Sequence, residues 1–208
     1  MTLMAERPVI SGTEPDGGFQ ELLCLLDELH VPDGYKAEII RGSIVVSPRS
    51  KGYYNRVMRS VCSQLEPSLP EGHLIERAPN LFVFPGVERA YGPDIHAAHE
   101  RTYDADSNHL DGEGLSFVAE PTSTSTREDD LTDKVEMYGK SGVPVYLVLD
   151  MQQMQAIVFG SPSVNGYEVR FSKPFGESLQ IPEPFGCKLD TDGFQRRPHE
   201  KADDQPES

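Results

Sequence analysis

The chain has 208 residues, and its 19 Lys and Arg against 34 Asp and Glu give a formal net charge of −15. This charge argues against the simplest nucleic-acid-binding protein, a basic domain that coats phosphates with Lys and Arg. The length favours one domain, and no apolar run approaches the roughly 18 residues of a membrane span, so no membrane partner is expected. Cys24, Cys62 and Cys187 are odd in number, far apart and form no CxxC, which agrees with a cytoplasmic location. Polar composition divides the chain into a flexible N-terminal lead (1–17), a folded domain (18–194) and a disordered acidic tail (195–208).

The first half of the domain predicts two helices around a β-hairpin. Apolar residues between Phe19 and Leu29 fall on one helical face. Two β-rich runs, 36–40 and 43–46, are joined by two residues, a connection of hairpin length. From Tyr54 to Leu65, apolar residues recur at i, i+3, i+4, i+7, i+8 and i+11, which indicates a second amphipathic helix.

The second half predicts strands on either side of one helix. Three β-rich runs lie at 80–84, 93–97 and 115–120, and the polar stretch 101–113 is expected to be an exposed loop. A helix is expected to start at Ser125-Thr126, where a hydroxyl cap precedes first-turn acids, and to stop at Gly142. The apolar run 143–149 predicts a central strand covered on both faces. Shorter, peripheral strands are expected at 156–159, 167–171 and 178–181, which completes a mixed β-sheet flanked by helices in a single α/β domain.

Three residues near strand ends form a candidate metal site. Asp94 enters one strand, Glu120 ends another, and Lys134 lies on the helix that follows. A carboxylate on each of two neighbouring strands can hold one hard divalent cation, and a lysine on the next helix can reach back toward it. His96 shares a strand face with Asp94 and is a candidate neighbour of the ion. Taken singly, each of these residues is better explained as an ordinary turn residue, a solvated strand end or a surface ion pair.

Five segments between about Tyr35 and Phe194 occur in an order and spacing that resemble the Uma-type restriction endonucleases of the PD-(D/E)xK nuclease superfamily. They are Glu38-Ile39-Ile40-Arg41-Gly42 with Ile44-Val45-Val46-Ser47-Pro48, Pro93-Asp94, Glu120-x-x-Ser123-x-Ser125-Thr126, Asp130 with Lys134 and Tyr138, and Gly142-Val143-Pro144-x-Tyr146-x-x-x-Asp150. The resemblance implies a restriction-endonuclease-like core over residues 18–194.

The resemblance also implies a chemistry. It makes Asp94 and Glu120 the ligands of Mg²⁺ or Mn²⁺, and Lys134 the catalytic lysine, displaced from the usual position at Thr122. Glu38 corresponds to the upstream acidic residue of the superfamily. The implied activity is hydrolysis of DNA phosphodiester bonds, and a homodimer is a further expectation because nucleases of this fold often act as dimers.

A locally basic segment is the candidate DNA-contact surface. The residues between Ile39 and Leu65 include five basic side chains and no acid: Arg41, Arg49, Lys51, Arg56 and Arg59. Such a patch suits contacts to phosphates, with Tyr53 or Tyr54 stacking on a base. The alternative interpretation is an ordinary solvated helix face.

A second function remains open on the sequence alone. Pro121 and Thr124 depart from the family pattern, in which an apolar residue and a proline are usual, and the net charge is strongly negative. These features fit a catalytically weak or silent nuclease-like domain that acts as a binding or regulatory module. Cleavage of RNA, or of branched or damaged DNA, is a third possibility, since no reader of base identity is recognisable.

Overall fold

The computed structural model describes residues 9–11 and 18–195. Side chains are described from residue 18 onward. Within these residues the elements are, in chain order, β1 (Val9–Ser11), α1 (Gly18–Glu28), β2 (Tyr35–Ile40), β3 (Ser43–Pro48), α2 (Tyr54–Leu65), β4 (His73–Glu76), β5 (Leu81–Phe84), β6 (Arg89–Tyr91), β7 (Ile95–His99), α3 (Glu100–Tyr103), β8 (His109–Asp111), β9 (Leu115–Pro121), α4 (Arg127–Leu131), α5 (Asp133–Lys140), β10 (Val145–Asp150), β11 (Gln155–Ser163), β12 (Gly166–Pro174), β13 (Ser178–Gln180) and β14 (Lys188–Asp190).

One six-stranded sheet is built around the expected hairpin, in the order β1-β3-β2-β6-β5-β8. The connection between β2 and β3 has positive φ at both residues, 50° at Arg41 and 70° at Gly42. Two positive φ values in a two-residue turn match the right-handed twist of the flanking strands, and Gly42 adopts its value without steric cost. The predicted hairpin is confirmed.

A second six-stranded sheet has the order β12-β11-β10-β9-β7-β4 and mixes parallel with antiparallel pairs. Strand β10 is central, parallel to β9 and antiparallel to β11, and all six of its residues are buried. The predicted covered strand is therefore confirmed. The antiparallel pairing of Ile95 with Ala119 continues toward Asp94 and Glu120, so these two carboxyl groups meet across neighbouring strands.

Three apolar layers form the core of one α/β domain, and one of them lies between the two sheets and joins them. Helix α2 covers one face of the second sheet, and α1 covers the outer face of the first. The third layer lies between the sheets and includes Tyr91, Tyr138 and Tyr146. Burying side chains of this size contributes about 1.5–3 kcal/mol each, so this shared layer is what fixes the sheets against each other.

The sequence predicted a single helix after β9, but the structure has two, α4 and α5. The helix is broken at Thr132, where φ is −126° and ψ is −82°. The Thr132 hydroxyl donates to the Glu128 carbonyl at 2.7 Å and so competes with the backbone N–H for that acceptor. Helix α4 starts after Thr126, as expected, but the Thr126 side chain makes no capping hydrogen bond, and the Ser123 hydroxyl accepts from the Thr126 N–H at 3.3 Å in the turn before the helix.

Two peripheral regions also differ from expectation. The stretch 101–113 contains α3 and β8 rather than one loop, because Leu110 is buried between the sheets. Strands β11 and β12 are nine residues each and longer than predicted. No helix of the described residues is long and apolar enough to cross a membrane.

The ends of the chain are only partly described. Residues 9–11, expected to belong to a flexible lead, pair as β1 with residues 43–45 of β3. The rest of that lead, and the tail from residue 196 onward, lie outside the described residues. The proposed domain limits therefore stay a prediction.

Candidate active site

The four residues expected to form the site lie together, although they come from four separate elements. Lys134 of α5 places its ammonium 2.7 Å from Glu120 Oε1 and 3.2 Å from Glu38 Oε1. Asp94, just before β7, is close enough to Glu120 for the two carboxyl groups to share a hydrogen bond. Glu38 also accepts from the Gly92 N–H at 2.9 Å, which ties the first sheet to the segment that carries Asp94.

Strand alternation explains why these carboxylates point inward. Ile39 packs toward α1, whereas its neighbour Ile40 packs between the sheets. Glu38 is two residues from Ile40 and therefore shares its inward direction. Val118 likewise packs between the sheets, and Glu120 follows it by two residues. Both acids thus project into the space between the sheets, where the apolar layer ends.

Lys134 is buried to 1% exposure, and its surroundings keep it charged. Its ammonium lies 5.6 Å from the centre of the Tyr91 ring and contacts three carboxylates, the third being Asp130 at 3.2 Å. Burial alone would lower the pKa of Lys134, but Glu120, Glu38 and Asp130 raise it well above its usual value. The side chain therefore holds its proton at neutral pH.

A second lysine completes the centre, and sequence reasoning missed it. The Lys36 ammonium donates to the Gly92 carbonyl at 2.8 Å and lies 3.5 Å from Glu120 Oε2 and 3.6 Å from Glu38 Oε1. Burial would lower the pKa of Lys36, yet Glu120 and Glu38 raise it. A usable signal existed, since Lys36 precedes Glu38 by two residues on one strand and must share its face.

Asp130 is the other missed member of this charged centre. Asp130 counts among the first-turn acids of the predicted helix and occurs with Lys134 in a family segment, and its position four residues before Lys134 places it beside that ammonium. Four carboxylates (Glu38, Asp94, Glu120 and Asp130) now surround two ammonium groups, which leaves a formal charge of −2 if all are ionised.

The pKa values of the site carboxyl groups differ because Lys134 and Lys36 outweigh the effect of burial at Glu120 but not at Asp94 or Asp130. Burial raises the pKa of Asp94 to about 7, with Lys36 opposing and the Glu120 charge adding to the rise. Burial also raises the pKa of Asp130 to about 6 against the pull of Lys134. For Glu120, burial is outweighed by Lys134 and Lys36, which lower its pKa to about 2. Glu120 is thus the permanent carboxylate, and Asp94 is the group that titrates near neutrality.

The Asp94–Glu120 pair fits a hard divalent cation. Once Asp94 loses the proton that it keeps beside Glu120, the centre carries the formal charge of −2, which a cation of charge +2 would balance. Mg²⁺ is commonly held by one or two carboxylates while it keeps several waters. Within the described residues, no group of three or more His, Cys, Asp and Glu forms a metal-ligating cluster. Among the described residues, Asp94 and Glu120 therefore offer a pair of carboxylates and not a larger ligand cluster.

His96 does not join the pair, although it was a candidate neighbour of the ion. Its ring nitrogens lie 3.0 Å from the Tyr103 hydroxyl and 3.0 Å from the Ala78 carbonyl. Burial lowers the pKa of His96. The ring is engaged on both sides by the fold, which leaves neither nitrogen for a metal.

The predicted basic patch divides into engaged and exposed side chains. Arg41 lies 3.5 Å from Asp129 and 3.4 Å from Asp133, and Arg56 donates to the Gln195 carbonyl at 2.8 Å. Arg49, Lys51 and Arg59 are exposed and form no ion pair with the described part of the chain.

The tyrosines beside the patch are less available than predicted. Tyr54 is 2% exposed and donates its hydroxyl to the Thr122 carbonyl at 3.2 Å, so it cannot stack on a base. The same hydrogen bond ties the start of α2 to the end of β9, two residues beyond Glu120. Tyr53 is partly buried against Tyr54, with ring centres 4.4 Å apart.

A mixed sheet that carries an inward Asp–Glu pair and a helix-borne lysine defines a restriction-endonuclease-like fold. The Uma2 family model, described as "Putative restriction endonuclease", matches residues 19–192, and the chain belongs to this family. A crystal structure from Anabaena variabilis, described as a putative nuclease belonging to DUF820, is similar at 15% identity and a TM-score of 0.61. The match covers 77% of this chain and 90% of that one, and at this identity it establishes the fold. No curated protein matches.

Proposed function

We propose that the protein is a metal-dependent endonuclease that hydrolyses DNA phosphodiester bonds. The observation that carries this proposal is the convergence of Asp94, Glu120, Lys134 and Glu38 from four elements into one buried centre. Membership of the Uma2 family supports the same activity.

Asp94 and Glu120 would hold Mg²⁺ or Mn²⁺, which supplies Lewis-acid stabilisation of the phosphate and a readily ionised water. Lys134 keeps its proton, so its role is to stabilise negative charge and to hold the Glu120 and Glu38 carboxylates in place, rather than to accept a proton. Lys36 is the more accessible ammonium, at 10% exposure, and is suited to contact a phosphate oxygen directly. Glu38 acts as a positioning residue through Lys134 and Gly92.

The proposed substrate is DNA, contacted by the exposed Arg49, Lys51 and Arg59 side chains. Because the net charge is −15, we expect weak non-specific affinity that falls steeply with salt. A homodimer and a cytoplasmic location stay predictions.

Nicking of supercoiled plasmid tests the proposal. With Mg²⁺ or Mn²⁺ present, Asp94→Ala should lower the nicking rate on the order of 10²–10³-fold, the usual scale for one electrostatic component of a site. The matched control is Asp106→Ala, which removes an exposed carboxylate outside the centre and should nick like the wild type. Equal nicking by Asp94→Ala would contradict the proposed site.

A second candidate function is a silent nuclease-like module that binds a protein partner. Two observations favour it: both lysines already neutralise carboxylates of the centre, and buried Pro121 directly follows Glu120 without a backbone N–H. Calorimetric titration with Mg²⁺ and Mn²⁺ separates the two functions. A silent module binds neither ion, or binds one without any nicking.

A further inference from the structure

A surface cleft adjoins the charged centre on the side of Lys36. Its volume is about 420 Å³, which lies within the range of small-ligand pockets. Lys36 and Gly92 line its inner end, and the same two residues contact the site carboxylates. We call this cavity the Lys36 cleft. If a phosphate of a nucleic acid is bound at the carboxylates, the group that fills the cleft must be the neighbouring part of the same nucleic-acid strand.

The lining matches the chemistry of a nucleoside better than that of a second phosphate. The lining holds one further carboxylate, Asp33, and one further cation, Arg49, whose formal charges cancel in sum, and His109 Nε2 lies 2.9 Å from Asp27 Oδ1. Among the cations of the lining, Lys36 is thus the one that contacts the site carboxylates, and the outer cleft has little net positive charge. A phosphate would be bound at the inner end only.

The remaining polar groups of the lining are free to bind a base edge. Asn80 and Asn108 both line the cleft, and no hydrogen bond within residues 18–195 uses either side-chain amide. Each amide offers one acceptor and two donor positions, the combination that reads a base edge. Tyr35 also lines the cleft, is 42% exposed and supplies an aromatic surface of the kind on which bases stack.

We propose that the Lys36 cleft binds the unpaired nucleotide next to the scissile phosphate. This inference rests on the proposed function, since it places that phosphate at Asp94 and Glu120. A base inside a duplex is stacked and paired, so it cannot enter a concave pocket until it is unpaired or flipped out. The preferred substrate would therefore be a single strand, or a duplex with an unpaired base, rather than a fully paired duplex.

The test measures the binding of short fluorescent oligonucleotides by fluorescence anisotropy, with Ca²⁺ in place of Mg²⁺. The probes are a single-stranded DNA, the same strand in a blunt duplex, and a single-stranded RNA of the same sequence. Tyr35→Ala and Asn108→Ala are compared with matched exposed controls outside the cleft, Phe171→Ala and Asn165→Ala. We expect each cleft variant to weaken single-strand binding about tenfold, and each control to leave it unchanged. If one of the two single-stranded probes binds more tightly, that preference identifies whether the nucleotide in the cleft comes from DNA or from RNA.

Two outcomes overturn the proposal. One is unchanged single-strand binding in both cleft variants, and the other is a blunt duplex that binds as tightly as the single strand and weakens equally in the variants. Plasmid nicking keeps this test distinct from the proposed function. If the wild type never nicks but the cleft variants still lose single-strand binding, the catalytic proposal fails and the nucleotide site stands. If nicking is robust and the variants bind and cut like the wild type, only the cleft proposal fails.

Discussion

The buried charged centre and the exposed basic patch were both predicted from the sequence, and the fold treats them differently. In the centre, Lys134 contacts three carboxylates at 2.7–3.2 Å and is almost fully buried. In the patch, Arg41 is 52% exposed and its acidic partners lie at 3.4–3.5 Å. Charges removed from water depend on their partners for stability, whereas exposed charges are screened and contribute little. The centre therefore contributes to the stability of the fold through its paired charges, whereas the exposed side chains of the patch contribute little to it.

Removing Lys134 should have the largest effect. Lys134→Ala leaves Glu120, Glu38 and Asp130 without their shared cation, and losing one partner of a buried ion pair costs about 3–5 kcal/mol. The free energy of unfolding in urea measures this loss.

Lys140→Ala is the matched control on the same helix. Lys140 pairs with Glu136 in the same i, i+4 arrangement but at the surface, so the cost should stay below about 0.5 kcal/mol. If the two variants lowered the free energy of unfolding by similar amounts, the expected difference between the buried and the exposed ion pair would be contradicted.

Lys36 should affect the chemistry more than the stability. Lys36→Met removes the ammonium that faces both the cleft and Glu120, and we expect plasmid nicking to fall about 10²-fold. Lys51→Met, which removes an exposed ammonium of the patch, should reduce nicking only a few-fold because one phosphate contact among several is lost. Nicking that depends more on Lys51 than on Lys36 would place the reactive phosphate elsewhere.

Metal affinity should rise with pH between 6 and 8. The pKa of folded Asp94 is raised to about 7, so the folded protein keeps a proton that the unfolded chain releases near pH 4. Stability therefore falls as pH rises from about 4 to about 7 and stays level above that, and a cation bound to the ionised Asp94 offsets this loss.

Calorimetry with Mn²⁺ checks this linkage. We expect affinity roughly tenfold tighter at pH 8 than at pH 6, because Asp94 is mostly protonated at the lower pH. Asp94→Asn should bind weakly at both values. A wild-type affinity that is flat across this range would contradict the assignment of Asp94 as a ligand.

The smallest expected effect is a difference in the salt dependence of DNA binding between two arginines of the basic patch, Arg59 and Arg41. Arg59→Ala should lower the slope of log affinity for DNA against log salt by about 1, since an exposed cation without an ion pair among the described residues displaces one counterion from the DNA when it contacts a phosphate. Arg41→Ala should change the slope less, because Asp129 and Asp133 already offset its charge. Anisotropy across a salt series measures both slopes, and the reverse order would mean that Arg41 leaves its acids to bind DNA.

Local patterns determined much of this protein. The Arg41-Gly42 hairpin, the apolar stripe of α2 and the covered strand β10 follow from short-range periodicity and turn chemistry, and all three are confirmed. The segments from Glu38 to Asp150 also predicted the family and the membership of Asp94, Glu120, Lys134 and Glu38 in one centre. The roles of these residues in catalysis remain a proposal.

Only the tertiary structure decided what depends on contacts between distant segments. Lys36 and Glu120 are 84 positions apart, and their meeting requires the first sheet to pack on the second. The burial of Leu110 between the sheets likewise depends on neighbours that local propensity does not encode. The physical reason is that burial sets whether a charge is paired or screened. The same sequence pattern, a lysine four residues after an acid, thus gives a surface ion pair at Lys140 and the centre of a site at Lys134.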